Sequence, residues 1–125
     1  MAEGRMADSG RTGPPERLSI TSTVTDGIRV LTLAGEIDFH TGVRLQEALA
    51  ASGPKPPRTV VDLDRVTFMD SSGINLFIAA HHSLSSGGGW LRLAAPAEHV
   101  LRTLQLVGLD TVIDCRPTLG QALAA

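Results

Sequence analysis

The sequence has little that would suggest secretion, a membrane span or a disulfide framework. Its single cysteine, Cys115, cannot form an internal disulfide, which agrees with a reducing compartment. No apolar run approaches the roughly 20 residues that cross a bilayer, and the first residues lack the apolar core of a signal peptide. We therefore expect a cytoplasmic protein that does not enter the membrane.

The chain also lacks the residue patterns that several kinds of chemistry require. Its 11 basic and 13 acidic side chains give a net charge of -2, which offers no basic field for nucleic acid or anionic lipid. The 4 histidines are not spaced as metal ligands, and no glycine-rich loop ends in Gly-Lys-Ser or Gly-Lys-Thr. We expect no metal, no cofactor and no enzymatic activity, and neither nucleic acid nor membrane as a partner.

The apolar content is sufficient for one folded domain. Of the 125 residues 42% are hydrophobic and 19% charged, which is ordinary for a globular protein of this size. Residues 1–17 are rich in Gly, Pro, Arg and small polar side chains, with almost nothing to bury. We interpret residues 1–17 as a disordered leader and residues 18–125 as the domain.

Hydrophobic periodicity predicts an α/β domain. The alternating residues 18–24 and the turn Asp26-Gly27 predict a hairpin with a return strand from Ile28. Later strands are predicted at 59–63, 90–93 and 111–115, and helices from Thr41 to a C-cap at Gly53, from Ser71 to about Ser86, from Pro96, and over 117–124. An N-terminal hairpin followed by βαβ crossovers gives a mixed sheet of about five strands with about four helices mainly on one side. The nearly continuous apolar run 59–63 should be its central strand.

The most informative stretch is residues 60–74. It contains a short apolar strand, a polar turn, a second apolar segment and then Asp-Ser-Ser-Gly at the start of a helix. Asp70, Ser71 and Ser72 are all suitable N-caps, because a short side-chain oxygen can accept a hydrogen bond from the first helical turn. A phosphate at such a helix start is favoured by roughly 0.3–1 kcal/mol when exposed.

Residues 61–74, Val-Asp-Leu-Asp-Arg-Val-Thr-Phe-Met-Asp-Ser-Ser-Gly-Ile, closely resemble the signature of bacterial anti-sigma factor antagonists, small proteins built from a single STAS domain. The resemblance extends from about Leu18 to Leu123. It includes Gly-Glu-Ile-Asp at 35–38 and Leu-Gln-Leu-Val-Gly-Leu at 104–109. It implies a STAS-like sheet and a phosphorylation site at Ser71, the first serine after the aspartate.

The resemblance also implies a function in transcription regulation by partner switching. Unphosphorylated members bind an anti-sigma factor that is also a serine kinase, so that the sigma factor is released to RNA polymerase. Phosphorylation of the serine by that kinase ends the interaction, and a metal-dependent phosphatase of the PP2C type restores it. In this scheme the chain is a substrate and binding module, and ATP belongs to the partner.

The resemblance also implies a partner-binding surface around Ser71. Its members are Asp38, Thr41, Met69, Asp70, Ser72, Gly73 and Asn75. Asp38 can also be the N-cap of the helix that follows it, and both roles can hold. Phe68 and Met69 point in opposite directions, and we expect Phe68 in the core and Met69 exposed. Gly73 would let another chain approach the turn closely.

Two other functions are open to a chain of this kind. A small hydrolase could use Ser71 as a nucleophile, but the serine lacks a Gly-x-Ser-x-Gly elbow and no base is placed beside it by the sequence. A STAS domain could instead be a stressosome-like scaffold or a small-ligand sensor. The absence of a globin-like or membrane portion in so short a chain favours the antagonist.

Overall fold

The computed structural model of the protein describes residues 17–50 and 57–124. Within these two ranges it has five strands and four α-helices. The strands are β1 (Leu18–Thr25), β2 (Ile28–Ile37), β3 (Arg58–Met69), β4 (Trp90–Ala94) and β5 (Asp114–Arg116). The helices are α1 (Phe39–Leu49), α2 (Ser71–Ser86), α3 (Glu98–Leu106) and α4 (Leu119–Leu123), and a 3₁₀ turn spans Leu109–Thr111. None of the helices in the described ranges is long and apolar enough to cross a membrane.

The strands form one mixed sheet in the order β1-β2-β3-β4-β5. β1 and β2 are the antiparallel hairpin predicted from Asp26-Gly27, and both turn residues have positive φ. Each later strand pairs in parallel with the strand before it, because a helical connection returns the chain to the same end of the sheet. The predicted α/β architecture is confirmed, and β3 is the central strand, as its apolar beginning indicates.

The larger core lies between one face of the sheet and three helices. Leu31 and Leu33 of β2 and Leu93 of β4 point to this face and are at most 1% exposed. Buried side chains of α1, α2 and α3 pack on them, among them Leu45, Phe77 and Leu104. Each fully buried leucine or phenylalanine contributes roughly 1.5–3 kcal/mol relative to an exposed one. Among the described residues α4 is the one helix on the other face, so the helices lie mainly on one side, as predicted.

β3 differs from its prediction, because the polar residues in its middle do not form a turn. The strand continues from Arg58 to Met69. Two register shifts against β2, between its residues 32 and 34 and between 35 and 36, each give β3 one extra residue. The residues of β3 that face the larger core are therefore irregularly spaced: Val61, Leu63, Val66 and Met69. Each bulge moves the inward-facing position on by one residue, which a strict period of two cannot predict.

Several element boundaries also differ from the predicted ones. α1 begins at Phe39 rather than Thr41, and Pro96 precedes the N-cap of α3 instead of lying in its first turn. β5 begins at Asp114 rather than Thr111, because a 3₁₀ turn includes Thr111. These shifts change no connection in the sheet.

Two predictions fall largely outside the described residues. Of the leader predicted at 1–17, only Arg17 is described, and the C-cap predicted at Gly53 lies within the gap 51–56. Both stay predictions.

Candidate partner-binding site

Ser71 is the first residue of α2, and it is exposed. The N-cap of this helix is Asp70, whose Oδ1 accepts a hydrogen bond from the backbone amide of Ser72 at 2.8 Å. Since Asp70 caps the helix, neither serine is needed as the N-cap. Ser71 is therefore exposed at the start of α2 without being needed to cap it.

Asp38 caps α1 in the corresponding position. Its Oδ1 accepts hydrogen bonds from the backbone amides of His40 and Thr41, each at 2.9 Å. The Thr41 hydroxyl accepts a hydrogen bond from the Asp38 amide at 2.9 Å and donates one to the Glu36 carbonyl, also at 2.9 Å. These contacts form a capping box and leave Thr41 only 7% exposed. The capping role of Asp38 is confirmed, whereas Thr41 serves the helix and does not offer its side chain to a partner.

Arg17 adds an ion pair to the Asp38 cap. Its Nη1 contacts Asp38 Oδ2 and lies 3.2 Å from Glu36 Oε1. The hydrogen bond from the Thr41 amide, together with the Arg17 guanidinium, lowers the pKa of Asp38 to about 2. The same ion pair raises the pKa of Arg17. The start of α1 therefore carries a carboxylate that stays charged at physiological pH.

The starts of α1 and α2 are neighbours because these helices follow adjacent parallel strands. Ile37 and Met69, the last residues of β2 and β3, are paired. The backbone amide of Asp70 donates a hydrogen bond to the Ile37 carbonyl at 3.2 Å. Asp38 and Asp70 therefore cap two helices side by side, at the edge of the sheet where the carboxyl ends of the parallel strands meet. Binding sites of open α/β sheets occur preferentially at this edge.

The expectation that Met69 is exposed and Phe68 buried is wrong. Met69 is 7% exposed and Phe68 is 47% exposed. The second bulge of β3 is the reason, because it moves the inward-facing position after Val66 to Met69 instead of Phe68. Phe68 is thus the residue of this pair that can contact a partner.

Gly73 faces the interior of the chain rather than a partner. A Cβ built at Gly73 would lie 2.5 Å from Met69 Cγ and 3.0 Å from Ile37 Cγ2. The missing side chain lets α2 pack closely on the ends of β2 and β3. The expected close approach therefore exists, but the approaching groups belong to the same chain.

A shallow groove of about 270 Å³ lies between the first turns of α1 and α2. Its lining residues are Phe39, Gly42, Val43, Gln46, Ser72, Asn75 and Leu76. Phe39 is 76% exposed and Val43 55% exposed, so this surface presents apolar side chains to solvent. Exposed apolar surface beside polar groups is typical of protein interaction sites. Asn75 and Ser72, both predicted surface residues, lie in the groove wall, and Asn75 is one helical turn after Ser71.

Sequence reasoning missed Phe39 and Val43. They are four residues apart and so share one side of α1, whereas the residues that marked the helix in the sequence, Leu45 and Leu49, are buried. The sequence did contain a signal for them, because these two residues form a second apolar stripe on α1 beside the buried one.

Two other chemically active side chains lie away from this groove. Burial raises the pKa of Cys115 to about 11, with Asp110 and Asp114 adding to the effect, so the thiol stays protonated at neutral pH. His99 Nε2 lies 2.7 Å from the Thr67 carbonyl and connects the start of α3 to the second bulge of β3. Among the described residues no group of His, Cys, Asp and Glu side chains is arranged to hold a metal ion.

Comparison with known proteins identifies a family and relatives of similar length. The model of the STAS domain family matches residues 19–122. The anti-sigma-F factor antagonist RsfB of Mycobacterium tuberculosis is 33% identical over 108 residues, which cover 84% of this chain and 88% of the relative.

Solved structures with the same fold include an anti-sigma factor antagonist from Mycobacterium paratuberculosis. It has a TM-score of 0.78 and 31% identity, covering 90% of this chain and 96% of that chain. The Bacillus protein SpoIIAA also has this fold, with a TM-score of 0.67 and 24% identity in its unphosphorylated form, covering 84% of this chain and 93% of that chain. Its phosphorylated form gives a TM-score of 0.62 and 23% identity, with 84% and 96% covered.

Proposed function

The chain belongs to the STAS domain family, and we propose that it is an anti-sigma factor antagonist controlled by phosphorylation of Ser71. The relatives that match it over most of their length are named for that function. In its unphosphorylated form the chain binds an anti-sigma factor in the cytoplasm and so frees a sigma factor. The chain is then a binding module and a kinase substrate, not an enzyme.

The observation that carries this proposal is the exposed Ser71 next to an apolar groove. Ser71 begins α2, and the following residues Ser72 and Asn75 line the groove together with the exposed Phe39. A partner that covers the groove therefore also approaches the Ser71 hydroxyl. Modification of one serine can then control the whole contact.

A phosphate on Ser71 would act on the partner's surface more than on the fold. It adds about -1.5 to -2 charges beside the Asp70 carboxylate. The start of α2 tolerates this charge because backbone N–H groups point towards it. A partner packed on the groove would instead have to desolvate the phosphate and make room for it. A cost of about 3 kcal/mol weakens binding more than a hundredfold.

We infer the partners of this scheme from the resemblance to anti-sigma factor antagonists. We infer that the anti-sigma factor is itself the serine kinase and supplies the ATP site that this chain was expected to lack. We infer that a separate enzyme, a metal-dependent phosphatase of the PP2C type, hydrolyses the phosphoserine, as the resemblance implies. The contact surface for the anti-sigma factor consists of Phe39, Phe68, Ser72 and Asn75. Asp38 and Asp70 give this surface its negative charge.

The first test is the intact mass of the protein after incubation with MgATP and a candidate anti-sigma kinase from the same genome. We expect one phosphate on the wild-type protein and on Ser72→Ala, and none on Ser71→Ala. Ser72→Ala is the matched control, because the two serines are adjacent in the first turn of α2. An unmodified wild-type protein with every active candidate kinase would refute the proposed switch.

A second test measures binding directly. Calorimetric titration of the anti-sigma factor should give an affinity for the unphosphorylated protein at least a hundredfold higher than for the phosphorylated one. Equal affinities for the two forms would show that Ser71 does not control the contact. Circular dichroism of both forms should be the same, since the phosphate lies outside the core.

A further inference from the structure

The groove beside Ser71 continues along the whole length of α1 and α2. A second hollow of about 200 Å³ lies further along these helices, and it shares Gln46 and Leu76 with the groove of about 270 Å³ at their first turns. The two hollows together form one channel, which we call the interhelical groove. Because α1 and α2 follow adjacent parallel strands, they run side by side in the same direction, and the groove follows them for about three turns, or roughly 16 Å.

The two walls of the interhelical groove have the same periodicity. The wall residues of α1 and of its C-cap are Phe39, Val43, Gln46 and Ala50, and those of α2 are Ser72, Leu76, Ala79 and Ser83. In both sets successive residues are spaced as on one side of a helix. The floor between the walls is closed, because a Cβ at Gly42 would lie only 3.0 Å from Leu76 Cδ1.

The walls combine exposed apolar side chains with polar groups that have no partner in the described chain. Phe39 and Val43 are both more than half exposed. Within residues 17–50 and 57–124 no hydrogen bond is made by the side chains of Gln46, Ser72, Asn75 and Ser83. Apolar surface with available donors and acceptors at its edge is typical of a surface that packs against another protein.

We propose that the part of the anti-sigma factor that occupies the interhelical groove is one amphipathic helix of about three turns, lying lengthwise. This inference rests on the proposed function and specifies the structure of the partner at that site. An extended segment would gain no main-chain hydrogen bonds in the groove, because helices pair their own backbone groups and present no edge. A helix satisfies its own backbone, and its side chains pack between two walls of the same period.

The two halves of the groove select different side chains of the bound helix. Near Ser71 the wall of α1 carries the large side chains of Phe39 and Val43, so the bound helix should present small residues there. In the other half Ala50 and Ala79 are small and leave the hollow of about 200 Å³, which large apolar side chains such as leucine or methionine can fill. Close packing in both halves therefore requires a helix with small residues at one end and large ones at the other.

A charge at the end of the groove far from Ser71 tests the length of the contact. In calorimetric titrations with the candidate anti-sigma kinases from the same genome, Ser83→Lys should bind at least about tenfold more weakly than the wild type, because the bound helix would desolvate the ammonium group. Ser85→Lys is the matched control: it adds the same charge to an exposed serine of α2 that lines neither hollow, and it should bind as the wild type does.

The outcomes of this titration separate the two proposals. Equal affinities of Ser83→Lys and the wild type would overturn the lengthwise helix and leave the proposed function intact. A wild-type protein that binds none of the candidates would refute the proposed function and this inference with it. Circular dichroism of each variant confirms that it is folded.

Disulfide trapping distinguishes a helix from an extended segment. Ser72→Cys and Ser83→Cys are each combined with single cysteines placed along the partner. A bound helix puts the partner positions trapped by the two sites about 11 residues apart, whereas a strand over the same roughly 16 Å puts them about 5 residues apart. Cys115 should not compete, because burial raises the pKa of its thiol to about 11. A separation of about 5 residues, or trapping by Ser72→Cys alone, would overturn the proposal.

Discussion

At the scale of single residues, the packing of Gly73 determines how closely α2 approaches the sheet. Gly73→Ala adds a methyl group 2.5 Å from Met69 Cγ, a distance at which one of the two must move. We expect a loss of about 1–3 kcal/mol in the free energy of unfolding, measured by urea denaturation. Gly120→Ala is the matched control: its nearest atom is Thr118 Oγ1 at 3.9 Å, and the change should be neutral or slightly stabilising. Equal denaturation midpoints for Gly73→Ala and the wild type would contradict the close packing.

The charge of Asp38 gives the fold a defined pH dependence. The pKa of Asp38 is lowered from 3.8 to about 2, so its ionised form is favoured by folding. Its stabilising contribution is complete above the ordinary pKa and is lost as the pH falls from about 4 to about 2. A ¹³C NMR titration of the Asp38 carboxyl should therefore have its midpoint near pH 2, and Arg17→Gln should move it upwards. A midpoint near 4 in the wild-type protein would show that the capping box does not hold this carboxylate.

At the scale of secondary structure, the end of α1 is held by a side chain from β2. Arg29 Nη1 donates to the Ala48 carbonyl at 3.0 Å and Nη2 donates to the Leu49 carbonyl at 3.1 Å. Arg29 thus satisfies carbonyl groups that have no partner within the helix. Partial burial of the Arg29 guanidinium lowers its pKa, because it removes water from the charged group. The hydrogen bonds to the two carbonyls partly replace that lost hydration.

We expect Arg29→Gln to destabilise the protein by about 1–3 kcal/mol, because it leaves partly buried carbonyls without a donor. Relative to the wild-type protein, the amides of Arg29→Gln should exchange faster in α1, with a smaller change in α3. The control is Arg102→Gln on α3, whose ion pair with Glu98 is largely exposed and should contribute at most about 0.5 kcal/mol. Equal effects of the two substitutions would mean that Arg29 does not secure α1.

The elements differ in how far their sequences determine them. The bounds of α2 follow from Asp70, a good N-cap before a helical period, and from the glycines after Ser86, so the position of Ser71 could be predicted. The inward-facing residues of β3 could not, because the bulges depend on how β3 pairs with β2. For the same reason Met69 and Phe68 exchanged the roles expected of them.

At the scale of the whole molecule, substitutions in the exposed groove should weaken the proposed partner binding without changing the stability of the fold. Phe39→Ala should weaken binding of the anti-sigma factor about tenfold, because large apolar side chains at the centre of an interface carry much of its affinity. The unfolding midpoint should stay unchanged, since Phe39 is 76% exposed. Leu106→Ala removes a leucine that is 81% exposed at the end of α3 and should leave the affinity unchanged. Equal affinities of Phe39→Ala and the wild type would place the partner elsewhere.

The position of Trp90 has a spectroscopic consequence. The sequence has 1 tryptophan and no tyrosine, so the protein's ultraviolet fluorescence comes almost entirely from this ring. Trp90 packs on the side of α4, 4.0 Å from the Arg92 guanidinium, and it pairs with Arg58 at the beginning of β3. Ser71 follows the other end of that 12-residue strand, on the order of 35 Å away. The emission should therefore report unfolding or detachment of α4, while the proposed phosphorylation of Ser71 and the proposed partner binding beside it should leave the emission unchanged.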